Sequence, residues 1–191
     1  MTGVVRSSAL PPTRRIVTGI NSAGRSCVVE DGVSPAMQLM PGREGYRNNN
    51  IWRTLGNSAP VDAPDTVLAH QGVLPPHQGT VIRVIDIPPE SPDPAEAKRQ
   101  TEAVFSAMFK DAHHDAGHAR HPGMHVTDTV DYAILLQGEL WAILEEGETL
   151  MRAGDILIQR GTNHAWANRS QSIARIAFIL IDGTRPSVRS G

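Results

Sequence analysis

One cysteine in 191 residues, Cys27, leaves no partner for an intrachain disulfide and no thiolate cluster for zinc. Within Ser26-Cys27-Val28-Val29 it is expected to serve as a small buried apolar residue rather than as a nucleophile. No uninterrupted apolar stretch reaches the length of a membrane span, and Arg6, Arg14 and Arg15 are not followed by the apolar core of a signal peptide. The expectation is a soluble, cytoplasmic protein without a membrane partner. Charge of one sign is missing too: the formal net charge is -2, with both signs dispersed, so nothing matches a nucleic-acid backbone. Neither a Gly-x-Gly-x-x-Gly nor a P-loop pattern is present, and no Gly-x-Ser-x-Gly elbow supports serine hydrolysis.

Aromatic residues make up only 4% of the chain, whereas it has 17 glycines and 14 prolines. That balance favours turns and short strands over long helices, and the length suits a single buried core with extra segments. Residues 1–12 read as a flexible arm ending at Pro11-Pro12. Arg15 to Gly19 and Arg25 to Glu30 flank Asn21-Ser-Ala-Gly24 as the arms of a hairpin, and Ile51 to Thr54 reads as another short strand. Residues 56–78, dense in Pro, Gly, Asp and Ala, are expected to form a long surface connection.

Thr80 to Ile87 is strongly β-branched and stops at Pro88-Pro89, which cannot donate to a ladder. Asp93-Pro94-Ala95-Glu96 then supplies an N-cap acid and a first-turn proline, and Val104, Phe105 and Met108 give one apolar face, so a helix is expected to end near Lys110. His113, His114, His118 and His121 lie among Gly, Ala and Asp and read as a surface loop, with His121 the one nearest the next strand. From Met124 onward the texture changes to about six short apolar runs, near 132–136, 140–144, 149–152, 156–159, 165–167 and 173–181, separated by tight turns. Such spacing predicts an all-β chain built as an antiparallel barrel or double-sheet jelly roll. Residues 123–182 would form its core, 13–122 the strands, loops and short helix that extend it, and 183–191 a tail.

Two stretches in that core carry the chemistry. The first runs His125-Val-Thr127-Asp-Thr-Val-Asp131 to Gly138, and the second runs Gly154-Asp155 to Gly161-Thr-Asn-His164 and Asn168. Together they resemble the two motifs of the cupin superfamily, Gly-x5-His-x-His-x3,4-Glu-x6-Gly and Gly-x5-Pro-x-Gly-x2-His-x3-Asn. Anchored on Gly138, the resemblance puts Asp131 at the glutamate, His125 at the first histidine and Thr127 at the second, while Gly161, His164 and Asn168 keep the end of the second motif. Thr127 thus replaces a histidine, Asp131 is one methylene shorter than glutamate, and Gln159-Arg160 replaces the proline region.

The resemblance implies a metal-binding set of His125, Asp131 and His164 around a divalent ion (Fe, Mn, Zn or Ni), with positions left open for substrate or oxygen. Thr127 would then bond a metal-bound water. Residues two apart on a strand share a face, so Trp166 would line the cavity with His164, and Arg83, mid-strand among Val and Ile, would meet a carboxylate or the substrate unless it stands at an edge. Tyr132 alternates away from Asp131 and is expected to pack between sheets; Trp52 and Trp141 are expected in the core or an interface. Two functions stay open: a metal-dependent oxygenase or isomerase of a modest organic substrate, and a metal-free module that binds or senses a small ligand. A homodimer, with strands 13–30 joining the partner's sheet, is the expected assembly.

Overall fold

The computed structural model describes residues 9–114 and 120–185. Its elements, in chain order, are β1 (Arg14–Ile20), β2 (Ser26–Val33), β3 (Ala36–Leu39), β4 (Arg47–Thr54), β5 (Thr80–Ile87), α1 (Pro94–Met108), β6 (His113–His114), β7 (His125–Val126), β8 (Thr129–Gln137), β9 (Glu139–Leu144), β10 (Glu148–Arg152), β11 (Ile156–Arg160), β12 (His164–Ala167) and β13 (Ala174–Asp182). A five-stranded sheet in the order β10-β9-β12-β7-β6 faces a six-stranded sheet in the order β11-β8-β13-β5-β4-β3. The result is the all-β double-sheet jelly roll with one helix that the strand spacing predicts.

Strand alternation places the core. Val81, Ile85 and Ile87 of β5, Ala133 and Leu135 of β8 and Ala174, Ile176, Phe178 and Leu180 of β13 point inward from one sheet, and Leu140, Ala142 and Met151 meet them from the other. On the outer face of the smaller sheet, Met124, Ile143, Ala165 and Ala167 form a second cluster under Trp141. Asp93 caps α1 by accepting from the Ala95 amide, Pro94 opens the first turn, and the helix lays Val104 and Met108 on the core. Gly138 turns β8 into β9 at a φ of +79°; a side chain there would meet the Ala174 backbone at 3.1 Å, so only glycine fits.

Several expectations are corrected. Tyr132 is 40% exposed on the outer face of the six-stranded sheet, because alternation from the inward Asp131 leaves it no second layer to pack against. Cys27 is only partly buried, on a hairpin that forms a sheet of its own. Trp52 and Trp141 are half-buried, and Trp141 packs against the second cluster in keeping with its expected place in the core. His113 and His114 form a strand paired with β7 rather than a loop, and the His114 ring stacks on Phe105 at 4.1 Å. His118 lies outside the described residues, as do residues 1–8 of the expected arm and 186–191 of the tail. The connection 56–78 is not wholly superficial, since Val67, His70 and Val73 are buried. Among the described residues no helix is long and apolar enough to cross a membrane.

Candidate functional site

Between the sheets lies a cavity of about 100 Å³, closed at one side by α1 and lined by Val104, Phe105 and Phe109 along with inward residues of β5, β8, β12 and β13. Its polar lining consists of Arg43, Tyr46, Arg83, Glu90, Thr101, His121, His125, Asp131 and His164. Five of the six residues singled out in the sequence therefore line one space: Arg83, His125, Asp131, His164 and Trp166.

The histidines are brought together by register. His164 of β12 stands directly opposite His125 of β7, and the ring centroids are 4.3 Å apart. Each ring is fixed by its own strand: His125 Nδ1 lies 2.9 Å from the Gly123 carbonyl and His164 Nδ1 3.0 Å from the Thr162 carbonyl. A carbonyl can only accept, so both Nδ1 atoms carry the proton and both Nε2 atoms keep a lone pair. Burial pushes the pKa of His125 down to about 4 and that of His164 to about 3, the second helped by its neighbour, so both imidazoles are neutral near pH 7. Trp166 packs edge-on to His164 at 5.6 Å and to Phe178 at 5.2 Å.

Asp131 enters from the opposite sheet, where it pairs with Leu180 in register. Burial raises its pKa to about 6, opposed by Thr129 and the charge of Arg83, and its Oδ1 has no hydrogen-bond partner. It does not join the histidines: among the described residues no group of three His, Cys, Asp or Glu side chains is close enough to hold a metal ion. Thr127 is buried away from the cavity lining, with its hydroxyl 2.8 Å from that of Thr129. Asn168, which shares the second motif with His164, has a structural task, since it donates to the carbonyls of Ile87 and Ser172 and ties β5 to the start of β13.

For a divalent ion, the donor chemistry fits at the two imidazoles. Hydrogen bonds from Nδ1 to carbonyls are the usual support of metal-bound histidine, and neutral Nε2 is the ligand form. The carboxylate contributes an unpartnered oxygen to the same cavity but stands outside coordinating reach of the pair, in keeping with a side chain one methylene shorter than glutamate.

Arg83 is fully buried, not at an edge, and its partners are not carboxylates. Its Nη1 donates to the Gly72 carbonyl, and its Nη2 to the Val73 carbonyl and to His70 Nε2, at 3.2, 2.6 and 3.2 Å. Other lining residues escaped the sequence: Arg43 sits in a Gly-rich turn without periodicity, and Glu90 follows two prolines. The ring of His121, the loop histidine nearest β7, lies 2.7 Å from Glu90 and lines the cavity.

No protein-family model matches the chain. Over 61 residues it is 41% identical to the phomopsin biosynthesis cluster protein C' of Diaporthe leptostromiformis, a match covering 31% of this chain and 32% of that protein. The chain thus spans about a third of that relative's length. Among solved structures, the cupin domain of Cnp3 from Schizosaccharomyces pombe aligns with a TM-score of 0.43 at 9% identity, over 88% of this chain and 87% of that one. A likeness of full-domain extent is to the cupin-domain-containing oxidoreductase fogC of Aspergillus ruber, 30% identical over 177 residues, or 88% of this chain and 71% of the relative. On that likeness, together with the double-sheet barrel that carries both histidines, the chain belongs to the cupin superfamily.

Proposed function

We propose that this chain is a small-molecule cupin enzyme, an oxidoreductase or isomerase of a modest organic substrate bound inside the barrel, and that His125 and His164 are its chemical centre. The observation that carries the proposal is the pair of neutral imidazoles, set in register with Nε2 free, in a cavity otherwise walled by Trp166, Phe105, Phe178 and aliphatic side chains. The oxidoreductase name of the Aspergillus ruber relative and the biosynthesis-cluster name of the Diaporthe leptostromiformis relative support such a substrate. A cytoplasmic location accords with the unpaired Cys27.

In this proposal His125 and His164 hold a divalent ion, which when bound supplies Lewis acidity or oxygen chemistry. The chain's own residues do the rest. Trp166 and Phe178 hold the apolar body of the substrate, α1 excludes water from one side, and Asp131 accepts a hydrogen bond from a substrate hydroxyl at its unpartnered Oδ1. The test is metal content after loading with Fe(II), Mn(II), Zn(II) or Ni(II). One ion per chain is expected in the wild type, with a loss of at least tenfold in affinity for His125→Ala and for His164→Ala. Failure of all four ions to bind sinks the metal.

A metal-free binding or sensing module is the second proposal, favoured by the standing-off of Asp131 and by the Thr127 hydroxyl being spent on Thr129. It expects ligand affinity to follow Trp166 and cavity shape, unchanged by a chelator; dependence of affinity on added Fe(II) excludes it. For assembly, we propose a homodimer through the β1–β2 hairpin, which forms a two-stranded sheet apart from the barrel sheets and leaves Ile16, Ile20, Val28 and Val29 exposed.

A further inference from the structure

A buried arginine without an ion-pair partner is costly, and this cavity has one. Arg83 is 1% exposed, yet among the described residues no carboxylate lies within ion-pair distance of it. A guanidinium has five N–H groups. Three go to Gly72, Val73 and His70, and the Nε–H is buried without a partner. Two neutral carbonyls and an imidazole orient the charge, and Asp111, whose carboxylate is held by the Val73 and Leu74 amides, acts on it from beyond ion-pair distance; a buried charge compensated only at a distance attracts an anion.

A second guanidinium serves the same cavity. Arg43 lies over the Tyr46 ring at 5.0 Å, makes no side-chain hydrogen bond or ion pair among the described residues, and also has its Nε buried and unpartnered. Tyr46, fully inside the lining, is close enough to feel both arginines. The two carboxylates of the lining act on the arginines without pairing with them. Glu90 is engaged by His121, and Asp131 is separated from Arg83 by the intervening strand β13.

Resting on the small-molecule reading above, we infer that the substrate is an organic carboxylate whose anionic end is received by Arg83 and Arg43, with its reacting part at His125 and His164. Register supports the layout. Phe178 stands opposite Arg83 and touches Trp166, which touches His164, so two aromatic rings span the distance between the cation end and the histidine end. A cavity of about 100 Å³ admits one ring or a short chain between those ends. Arginine is suited to the task because its planar fork matches both oxygens of a carboxylate.

The test is calorimetric, with benzoate and phenylacetate as probes and benzamide and phenylacetamide as neutral counterparts. The wild type should bind each acid at least ~10-fold more tightly than its amide, a preference that weakens as salt is added. Arg83→Met should abolish the preference and Arg43→Gln should reduce it severalfold. Should Arg83→Met fail to fold by circular dichroism, Arg43→Gln at its half-buried position decides the matter. Amides binding as tightly as acids, or a preference untouched by Arg43→Gln, overturns the inference. The catalytic proposal fails separately, by metal content and turnover, whereas this one is judged on binding alone.

Discussion

His70 occupies a place where a proton is unwelcome. It is buried, and its Nε2 accepts from Arg83, which fixes the neutral tautomer. Burial first, then the charges of Arg83 and Arg53, lowers its pKa to about 4. In the unfolded chain the ring takes up a proton near pH 6.5, whereas the folded protein resists until about pH 4, so stability is lost as the pH falls through that window. His70→Gln keeps an acceptor for Arg83 without the titration. It should flatten the fall in urea midpoint between pH 6.5 and 4 by the equivalent of about 1–2 kcal/mol; an unchanged slope would refute this. Side chains of this kind mark how far the sequence carries. An arginine between valines and isoleucines announces a buried guanidinium in need of partners, but those partners are carbonyls of Gly72 and Val73, in a Pro- and Gly-rich connection without periodicity. His125, His164 and Trp166 were legible because a fixed spacing on strands puts them on one face. Thr127 was not, since its hydroxyl turns to Thr129, a local bond that spacing does not encode.

At the scale of elements, three strands are stitched by one carboxylate. Asp86 of β5, 1% exposed, accepts from Arg47 of β4 and from Arg175 of β13, the latter through Nε at 2.6 Å and Nη2 at 2.9 Å. Asp86→Ala would leave two guanidiniums facing each other without compensation, and should cost about 3–5 kcal/mol in urea unfolding; a loss under ~1 kcal/mol would mean that the pairs are solvent-screened. The same arginines also donate to the carbonyls of Leu10 and Pro11, which brings the expected arm down onto this corner. Strands β8 to β13 were readable within one to three residues because glycine turns bound each apolar run. In β4 only Ile51–Thr54 carries a strand pattern in the sequence, although the strand begins at Arg47. Its missing half is Asn48-Asn49-Asn50, poor strand formers by themselves, held extended by pairing with β3 and β5. β6 has two residues, too few for any periodic signal.

At the scale of the whole molecule, two groups of exposed apolar side chains stand out among the described residues. One is the β1–β2 hairpin, anchored near its base where Arg15 donates to Glu30, Asp65 and the Ile51 carbonyl. The other is the outer face of β8 and β11, with Val130, Tyr132, Leu136, Ile156 and Ile158 exposed. If the hairpin dimerises the protein, deletion of residues 1–30 should give a folded monomer by light scattering, and an unchanged dimer would rule out that arrangement. The pairing of β7 with β12 has a further consequence. Among the described residues, His164 opposite His125 is the single register pair between those strands, and β6 hangs on β7 alone. The backbones of these two residues are therefore also the seam by which the β7–β6 end of the five-stranded sheet is attached. Closing that backbone pair is what sets the two rings side by side, so closure of this sheet and assembly of the histidine pair are one event.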